Sequence, residues 1–465
     1  MARRRTLIPH THRHPKSRLS SSQSPLLPGP PPSDFSPDEA LYRTLKKPRL
    51  TYENGSETSS VSADFIAESG DLLTQIFVHL PPKSLFRFQA VSKLWRSTLR
   101  SPSFLRLRTR NVGAQFLFHR SYDGSEETHA LDLNFISLDK AYVDTMSDVV
   151  SDMRNIFDFN QVVGFHSCNG LLAIALKSGC DQTIDFYVYN PTTRSCRLIP
   201  RRYVHNIYYP QLKPENIFPQ TPRRFIALYI AFDPLQSEHY KLLYLWHEGS
   251  WVTCSSYASD TQIWRDCEWV FDDEDAEVEP DLKKGVLWNG DFFWVDPHGY
   301  TYCFDFKSGS MKTITALPPN ALTGHTGEEE EHFSWPEIFY FGVSGGDLCL
   351  IGLTDPHAML FEVHKMELDY SRWNFNGRFD LSPLRALCPS MFVEENFHVL
   401  DCLVDEKQNL PAELMISSPG KIVSYNLQDK EIADVVMEDP HVSPKKMSIF
   451  RWGEAFQYVE TFVPV

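Results

Sequence analysis

Apolar side chains recur at helical spacing in the segment from residue 64 to about 108. The clearest stripe covers two turns and consists of Leu72, Leu73, Ile76, Phe77 and Leu80. Ser69 or Asp71 is placed to cap the start of this helix. Pro81-Pro82 ends the helix, because neither ring nitrogen can donate a hydrogen bond and the ring clashes with the preceding turn.

A second helix is predicted after the two prolines, and Ser101-Pro102 ends it. Its apolar side consists of Leu85, Phe88, Val91, Leu94, Trp95 and Leu99. Two or three such helices total fewer than about 50 residues, too few to bury so many large side chains among themselves. A neighbouring domain or a separate protein must therefore cover part of this apolar surface.

Apolar side chains recur about every 3.6 residues in the helical segment but about every 2 residues after residue 112, which indicates strands. A loose repeat begins at Gly170, Gly285 and Gly346, with a fragmentary copy at Lys421. The complete copies have a glycine turn, a hydrophobic strand, and a second strand that ends in a polar turn. Units of roughly 40–50 residues match four-stranded propeller blades, and about 350 residues would make six or seven of them.

Residues 1–62 are rich in Pro, Ser and Arg, and they cannot bury enough apolar surface to offset the entropy of ordering. We therefore predict a disordered tail. Lys46-Lys47-Pro48-Arg49 is either a nuclear import signal or a solvated basic stretch, and the sequence leaves both open. The residues before Asp34 lack acids, as transit peptides do, but their frequent prolines oppose the amphipathic helix of such peptides.

These patterns predict a multidomain α+β chain. A disordered tail covers residues 1–62, a small all-α domain covers 64–110, and a large all-β propeller-like domain covers 112–465. The 465 residues are 42% hydrophobic and 13% aromatic, which suits a large core built from half-buried strands.

Charge and cysteine content narrow the range of partners. The formal net charge is −15, so no nucleic acid partner is expected, because phosphate binding needs a basic face. The acidic stretches at 272–275 and 328–331 are interpreted as loops, with a site for a basic partner as the alternative.

The 9 scattered cysteines contain no C-x-x-C pair, which argues against a disulfide framework or a zinc site and favours a reducing compartment. No apolar run approaches the roughly 18 residues of a membrane span, so no membrane partner is expected.

The segment from Asp71 to Ser97 closely resembles an F-box, including Leu-Pro-x-Lys-Ser-Leu at 80–85 and Val-Ser-Lys-x-Trp at 91–95. The C-terminal part resembles the F-box-associated, kelch- or propeller-like domain of plant F-box proteins. That second resemblance rests on short pieces in the right order, at 167–172, 189–194 and 458–461. Together the two resemblances cover most of residues 65–465.

The resemblance implies a non-catalytic substrate receptor of a ubiquitin ligase, acting in the nucleus, the cytoplasm or both. The helical part would dock a Skp-type adaptor and through it a cullin ligase, and the β-domain would bind a target protein whose identity the sequence does not reveal. No cofactor or metal is expected. The predicted adaptor contacts are Leu72, Leu73, Ile76, Leu80, Pro81, Leu85, Val91 and Trp95. For Phe77, Phe86 and Phe88, the favoured interpretation is that they only hold the helices together.

One departure from the family pattern lies at the start of the F-box. The family usually opens with Leu-Pro-x-Asp, whereas this chain has Glu68-Ser69-Gly70-Asp71. Two apolar adaptor contacts are thereby lost at the N-terminal edge, which is expected to weaken docking while the helical stripe remains intact.

Two other classes of function compete with this interpretation. A non-degradative scaffold, in which the F-box tethers something other than a ligase, fits the same residues. A propeller-type hydrolase would need a Ser-x-Asp-x-Gly-x-x-Trp box or another catalytic motif, and the sequence contains none. His166, Cys168 and Asp305 would have to meet in one pocket to revive the hydrolase hypothesis.

Overall fold

In the computed structural model the described residues are 61–111, 115–121, 131–137, 143–178, 183–201, 224–248, 251–272, 280–297, 299–316, 337–355, 357–389, 391, 397–404, 411–418, 421–435 and 454–465. The predicted disordered tail lies outside these ranges up to residue 60, as does its basic stretch at 46–49. The acidic stretches also lie outside them, except for Asp272 at the end of a strand.

Five short helices open the described part of the chain. They are α1 Val61–Glu68, α2 Gly70–Phe77, α3 Pro82–Phe88, α4 Lys93–Leu99 and α5 Pro102–Asn111. The Ser69 side chain accepts a hydrogen bond from the Leu72 backbone N–H, so Ser69 caps α2, as one of the two predicted caps. Pro82 then begins α3, where a missing N–H costs nothing.

The prediction of one continuous helix after the prolines is wrong. The chain leaves the helix after Phe88, and α4 begins anew at Lys93. Ser92 causes the restart, because its extended backbone and its hydroxyl, which accepts a hydrogen bond from Trp95 N at 3.1 Å, form an N-cap.

The remainder is almost entirely strands, with two further helices, α6 Val143–Ile156 and α7 Ser382–Leu387. The first half contains β1 Gln115–Ser121, β2 Leu131–Ser137, β3 Val162–Cys168, β4 Leu171–Ser178, β5 Thr183–Asn190, β6 Ser195–Leu198, β7 Arg224–Ala231, β8 Lys241–Glu248, β9 Trp251–Ala258, β10 Ile263–Asp272, β11 Val286–Trp288 and β12 Asp291–Val295. The second half contains β13 Tyr300–Asp305, β14 Ser310–Ala316, β15 Glu337–Ser344, β16 Asp347–Asp355, β17 Leu360–Met366, β18 Trp373–Asp380, β19 His398–Val404, β20 Pro411–Ser418, β21 Lys421–Asn426, β22 Ile432–Val435 and β23 Ala455–Gln457.

Consecutive strands pair antiparallel in groups of four, the arrangement of a β-propeller. The blades in the described residues are β3–β6, β7–β10, β11–β14, β15–β18 and β19–β22, and one parallel pair, Glu268 with Ser310, joins the second blade to the third. A three-stranded sheet of order β2-β1-β23 combines the start of the β-domain with its end. The propeller is therefore confirmed, with five four-stranded blades and this shorter sheet in place of the six or seven full blades predicted.

Tight hairpins explain why the repeat is visible in the sequence. Asn169-Gly170 and Asn289-Gly290 each connect the first two strands of a blade, and all four residues have positive φ. Two-residue turns of this type favour Asn-Gly, because their twist matches that of the strands and glycine carries no Cβ penalty. Gly345-Gly346 repeats the turn between β15 and β16.

The hydrophobic core is divided among the interfaces between adjacent sheets. One cluster joins the first two blades around Leu171 and Leu242, and another joins the second and third around Leu245 and Trp294. Two more clusters follow between the third and fourth blades and between the fourth and fifth. The second, third and fourth blades thus bury both of their faces, as a propeller requires.

Candidate functional site

Helices α2 to α5 enclose a small hydrophobic core. Its buried residues include Leu73, Phe77, Leu85, Leu99 and Phe104. The rings of Phe77, Phe88 and Trp95 meet with centroids 5.0–5.5 Å apart. Contacts of this kind add about 0.5–1.5 kcal/mol each beyond the burial of area. The apolar stripe read from the sequence therefore forms, in part, the interior of this helical unit.

Two of the predicted adaptor contacts lie inside the unit. Leu73 is 1% exposed and Leu85 is 0% exposed, and both pack in the core that joins α2 and α3. Phe77 is likewise buried and Phe88 is half-buried, whereas Phe86 is exposed.

The other predicted contacts reach the surface. Ile76 on α2 is 45% exposed and Val91 in the α3–α4 turn is 58% exposed. Pro81 is exposed, and Leu72, Leu80 and Trp95 are half-buried. The Trp95 indole N–H donates to the carbonyl of Ala67 at 3.1 Å, which ties α4 to α1.

Sequence reasoning missed an apolar pair just before the atypical opening. Phe65 and Ile66 lie on α1, and Phe65 is 68% exposed. Glu68 ends α1, and Ser69 begins the next helix as its cap. The sequence does indicate this pair, because two large apolar residues follow each other in an otherwise polar segment.

The last residues of the chain are part of the helical unit's core. Phe462, 1% exposed, packs in the cluster that contains Leu73, Phe77 and Leu85. No sequence pattern indicates this contact, because the partners are almost 400 residues apart.

A buried ion pair lies beside the inserted phenylalanine. Arg108 of α5 donates to a carboxylate oxygen of Glu460 at 3.2 Å and to the carbonyl of Val78 at 2.7 Å. Burial raises the pKa of the Glu460 carboxyl, and the Arg108 guanidinium opposes that rise. Removing one partner of such a pair leaves an uncompensated buried charge.

Two family motifs hold this C-terminal segment on the propeller. The Asn190 side-chain amide donates to the carbonyls of Thr461 and Val463 at 3.0 and 2.7 Å. A Cβ on Gly170 would meet the carbonyl oxygen of Val459 at 2.2 Å, so only glycine allows the segment to pass so close. The segment thus links the first blade to the helical unit.

A cavity of about 280 Å³ lies in the centre of the propeller. The strands β3, β7, β15, β19 and β23 and the start of β11 all contribute to its wall, so it is the central channel. Its polar lining includes His166, Tyr229, Lys283, Tyr340 and Asp401.

Of the three residues that the hydrolase hypothesis needs, His166 and Cys168 line the channel, but Asp305 does not. Cys168 donates its thiol hydrogen to the carbonyl of Phe232, and burial raises the pKa of that thiol to about 12, so it is a poor nucleophile. His166 accepts a hydrogen bond from the Ile230 N–H. Asp305 lies outside the channel wall and organises the β13–β14 turn with Ser308 and Lys312.

Neither a metal site nor a membrane-spanning helix occurs in the residues that the structure describes. Within the described parts of the chain, no group of three or more His, Cys, Asp and Glu side chains is arranged to hold a metal ion. None of the helices described there has the length and apolar character needed to traverse a bilayer.

Two family models match this chain. The F-box domain matches residues 70–107, which span α2 to α5, and the F-box associated beta propeller domain matches residues 128–332. The second match therefore begins near β2 and extends beyond β14.

Curated relatives match over most of the chain. F-box protein At5g07610 of Arabidopsis thaliana is 27% identical over 444 residues, which cover 89% of this chain and 96% of the relative. Putative F-box/kelch-repeat protein At1g12870 of the same plant is 30% identical over 347 residues, 71% of this chain and 74% of the relative. Putative F-box protein At5g15660 is 24% identical over 383 residues, 77% and 75% of the two chains.

Proposed function

This chain belongs to the F-box proteins that carry an F-box associated propeller domain, and from that membership we propose that it is the substrate-recognition subunit of a Skp–cullin–F-box ubiquitin ligase. The observation that carries the proposal is an exposed apolar face on a helical unit that is built into the propeller. Ile76 and Val91 form part of that face. Neighbouring apolar side chains on a short helical unit favour docking into the groove of a partner.

The interior residues support the docking face without forming it. Leu85 packs against the rest of the helical core, so its truncation would loosen the unit as a whole. Loss of adaptor binding in a Leu85 variant would therefore not show that Leu85 itself contacts the adaptor. Ile76 and Val91 are the sharper probes, because their side chains already face solvent.

The atypical opening has a local substitute. The family's Leu-Pro pair is replaced by Glu68-Ser69, but Phe65 and Ile66 present apolar surface one turn earlier on α1. We expect these two side chains to widen the adaptor-binding face at its N-terminal edge.

The propeller serves the ligase by holding a target, and this chain needs no bond chemistry of its own. A receptor raises the local concentration of the target's lysines at the charged ligase machinery. That gain depends on geometry, because an effective concentration falls when the two sites can move apart.

Calorimetry with a purified Skp-type adaptor tests the docking face. We expect tight binding by the full chain, and binding weaker by about 10-fold or more for Ile76→Glu and for Val91→Glu, because a carboxylate in a desolvated apolar interface is costly. The control is Ile263→Glu, the same substitution at an isoleucine of β10 that is 55% exposed, and we expect it to bind as the wild type.

The result also separates the competing functions. Failure of the folded wild type to bind any Skp-type adaptor would contradict the ligase proposal. Equal binding by all three variants would contradict this docking face alone. Adaptor binding without turnover of any target would favour the non-degradative scaffold.

A further inference from the structure

The central channel has the size of a small ligand site. Its volume, about 280 Å³, is close to the lower end of the ~300–1,000 Å³ typical of small-molecule pockets. Such a space admits a small ligand or the end of one long side chain.

A β-bulge recurs near the start of four of these strands. Val163, Ile226, Phe339 and Leu400 are each skipped by the pairing register of β3, β7, β15 and β19. Bulges of this kind re-aim the side chains that follow them. The residues directly after the four bulges are Gly164, Ala227, Tyr340 and Asp401, and all four line the channel. At this position the first and second blades thus have a small residue, Gly164 and Ala227. The fourth blade has the hydroxyl of Tyr340, and the fifth has the carboxyl of Asp401.

Asp401 places an ionisable carboxyl in the channel wall. Its Oδ1 accepts hydrogen bonds from the backbone N–H of Cys402 at 2.9 Å and from the Tyr340 hydroxyl at 3.3 Å. No cation of the described residues is paired with it, and Lys283 is the other charged residue of the wall. The Oδ2 oxygen accepts no hydrogen bond within that part of the chain.

Tyr340 is held in position to support Asp401. A Cβ on Gly342 would lie 2.4 Å from the Tyr340 hydroxyl oxygen, so the absence of a side chain at Gly342 makes room for the phenol. Burial raises the pKa of Tyr340 well above its usual value, so the hydroxyl keeps its proton and remains a donor. The Tyr340 hydroxyl is within hydrogen-bond distance of two acceptors, Asp401 Oδ1 at 3.3 Å and the carbonyl oxygen of Val343 at 3.4 Å.

Aromatic residues contribute to the remaining wall. Tyr229, Phe341 and Phe456 line the cavity, and the His166 ring stands edge to face with Tyr229 and Phe456 at 5.0 and 4.9 Å. Aromatic rings attract cations, and more strongly when water is excluded. A carboxylate without a cationic partner, in a wall that also contains aromatic residues, has the composition of a cation site.

We propose that the central channel binds a single cationic group, an alkylammonium or a guanidinium, with Asp401 as its counter-charge and Tyr340 as the positioning residue that orients Asp401. The group belongs either to a free small molecule or to a lysine or arginine side chain presented by a protein. Both sources present the same chemistry to Asp401, and the test below separates them.

Calorimetry on the full chain with defined probes tests this proposal. The small probes are n-butylammonium and n-butylguanidinium, with n-butylurea as the neutral isostere. The peptide probe is a short blocked peptide with one central arginine, compared with the same peptide carrying citrulline. We expect saturable binding of at least one cationic probe at neutral pH, and binding of its neutral counterpart that is weaker by about 10-fold or more. Binding of the small probes indicates a free ligand, and binding of the arginine peptide alone indicates a side chain of a protein.

Matched variants locate the site. Asp401→Asn keeps an oxygen that can accept from Tyr340 but removes the charge, and we expect it to weaken binding of the cationic probe by about 10-fold or more. Asp260→Asn makes the same change at an exposed turn residue and should leave binding unchanged. Tyr340→Phe should weaken binding less than Asp401→Asn, because the charge stays.

Two results would overturn the proposal. One is equal binding of the cationic and neutral probes, or of the wild type and a folded Asp401→Asn chain. The other is the absence of saturable binding of any cationic probe to the folded wild type. Adaptor binding, measured on the same preparations, should be equal in wild type and Asp401→Asn, because the channel and the helical face are separate sites. Failure of this inference is therefore distinguishable from failure of the ligase proposal.

Discussion

Asp401 costs the protein stability at neutral pH. Burial raises the pKa of its carboxyl to about 6, and the Cys402 N–H and the Tyr340 hydroxyl only partly oppose this. The native state therefore holds a proton on Asp401 more tightly than the unfolded chain, where an aspartate titrates near 3.8. At pH values above both, the charge disfavours folding, and the cost is relieved as the pH falls through about 6 toward 4.

Asp401→Asn should accordingly raise the melting temperature at pH 7.5. The pKa difference corresponds to a gain on the order of 3 kcal/mol, since one pKa unit is about 1.4 kcal/mol. The advantage over the wild type should shrink at pH 5, where the native carboxyl is protonated. Differential scanning calorimetry at both pH values, with Asp260→Asn as the control, checks this. A variant that is less stable than the wild type at pH 7.5 would show that the charge helps folding.

The role of Asp401 could not be read from its sequence context. The segment from His398 to Val404 has apolar residues on both sides of Asp401, and nothing in it marks Leu400 as a bulge. Bulges depend on pairing with the partner strand, which a local pattern does not contain. Ile76 and Val91 were predicted as contacts from local pattern and family resemblance, and the structure separates them from Leu73 and Leu85 by exposure.

At the scale of the elements, the C-terminal segment connects parts of the molecule that are far apart in the sequence. Residues 458–463 lie against the first blade through Asn190 and reach the helical unit through Glu460 and Phe462. Hairpins with Asn-Gly turns were predictable because the turn chemistry is local, as at Asn169-Gly170. The insertion of Phe462 was not predictable, because it depends on which surfaces meet after the propeller has closed.

Phe462→Ala should destabilise the helical unit. Truncation of a fully buried phenylalanine costs about 3–5 kcal/mol, and here the cavity would open within the core of α2 to α5. Native-state hydrogen exchange of those helices, followed by mass spectrometry, should show faster exchange. Phe375→Ala, a matched change at a phenylalanine that is 57% exposed, should change it little. Equal exchange in both variants would mean that the helical unit is stable without the C-terminal segment.

At the scale of the whole molecule, residues Ser62–Val465 form one compact unit, so the helical face and the propeller are parts of the same body. The buried pair of Arg108 and Glu460 and the inserted Phe462 join them. A ligase receptor benefits from such a joint, because a rigid body fixes the distance between adaptor and target. Sequence patterns indicated both domains, but each pattern was local and could not reveal that the domains share a core.

The most direct test of the receptor function is the assembly of the ligase itself. Full-length chain, Skp-type adaptor and cullin are mixed, and the mass of the complex is measured by light scattering after size exclusion. A complex with one copy of each protein, in which the cullin joins only when the adaptor is present, is the predicted result. A folded chain that elutes alone, with adaptor and cullin together in a separate peak, would contradict the assignment of this protein to the ligase.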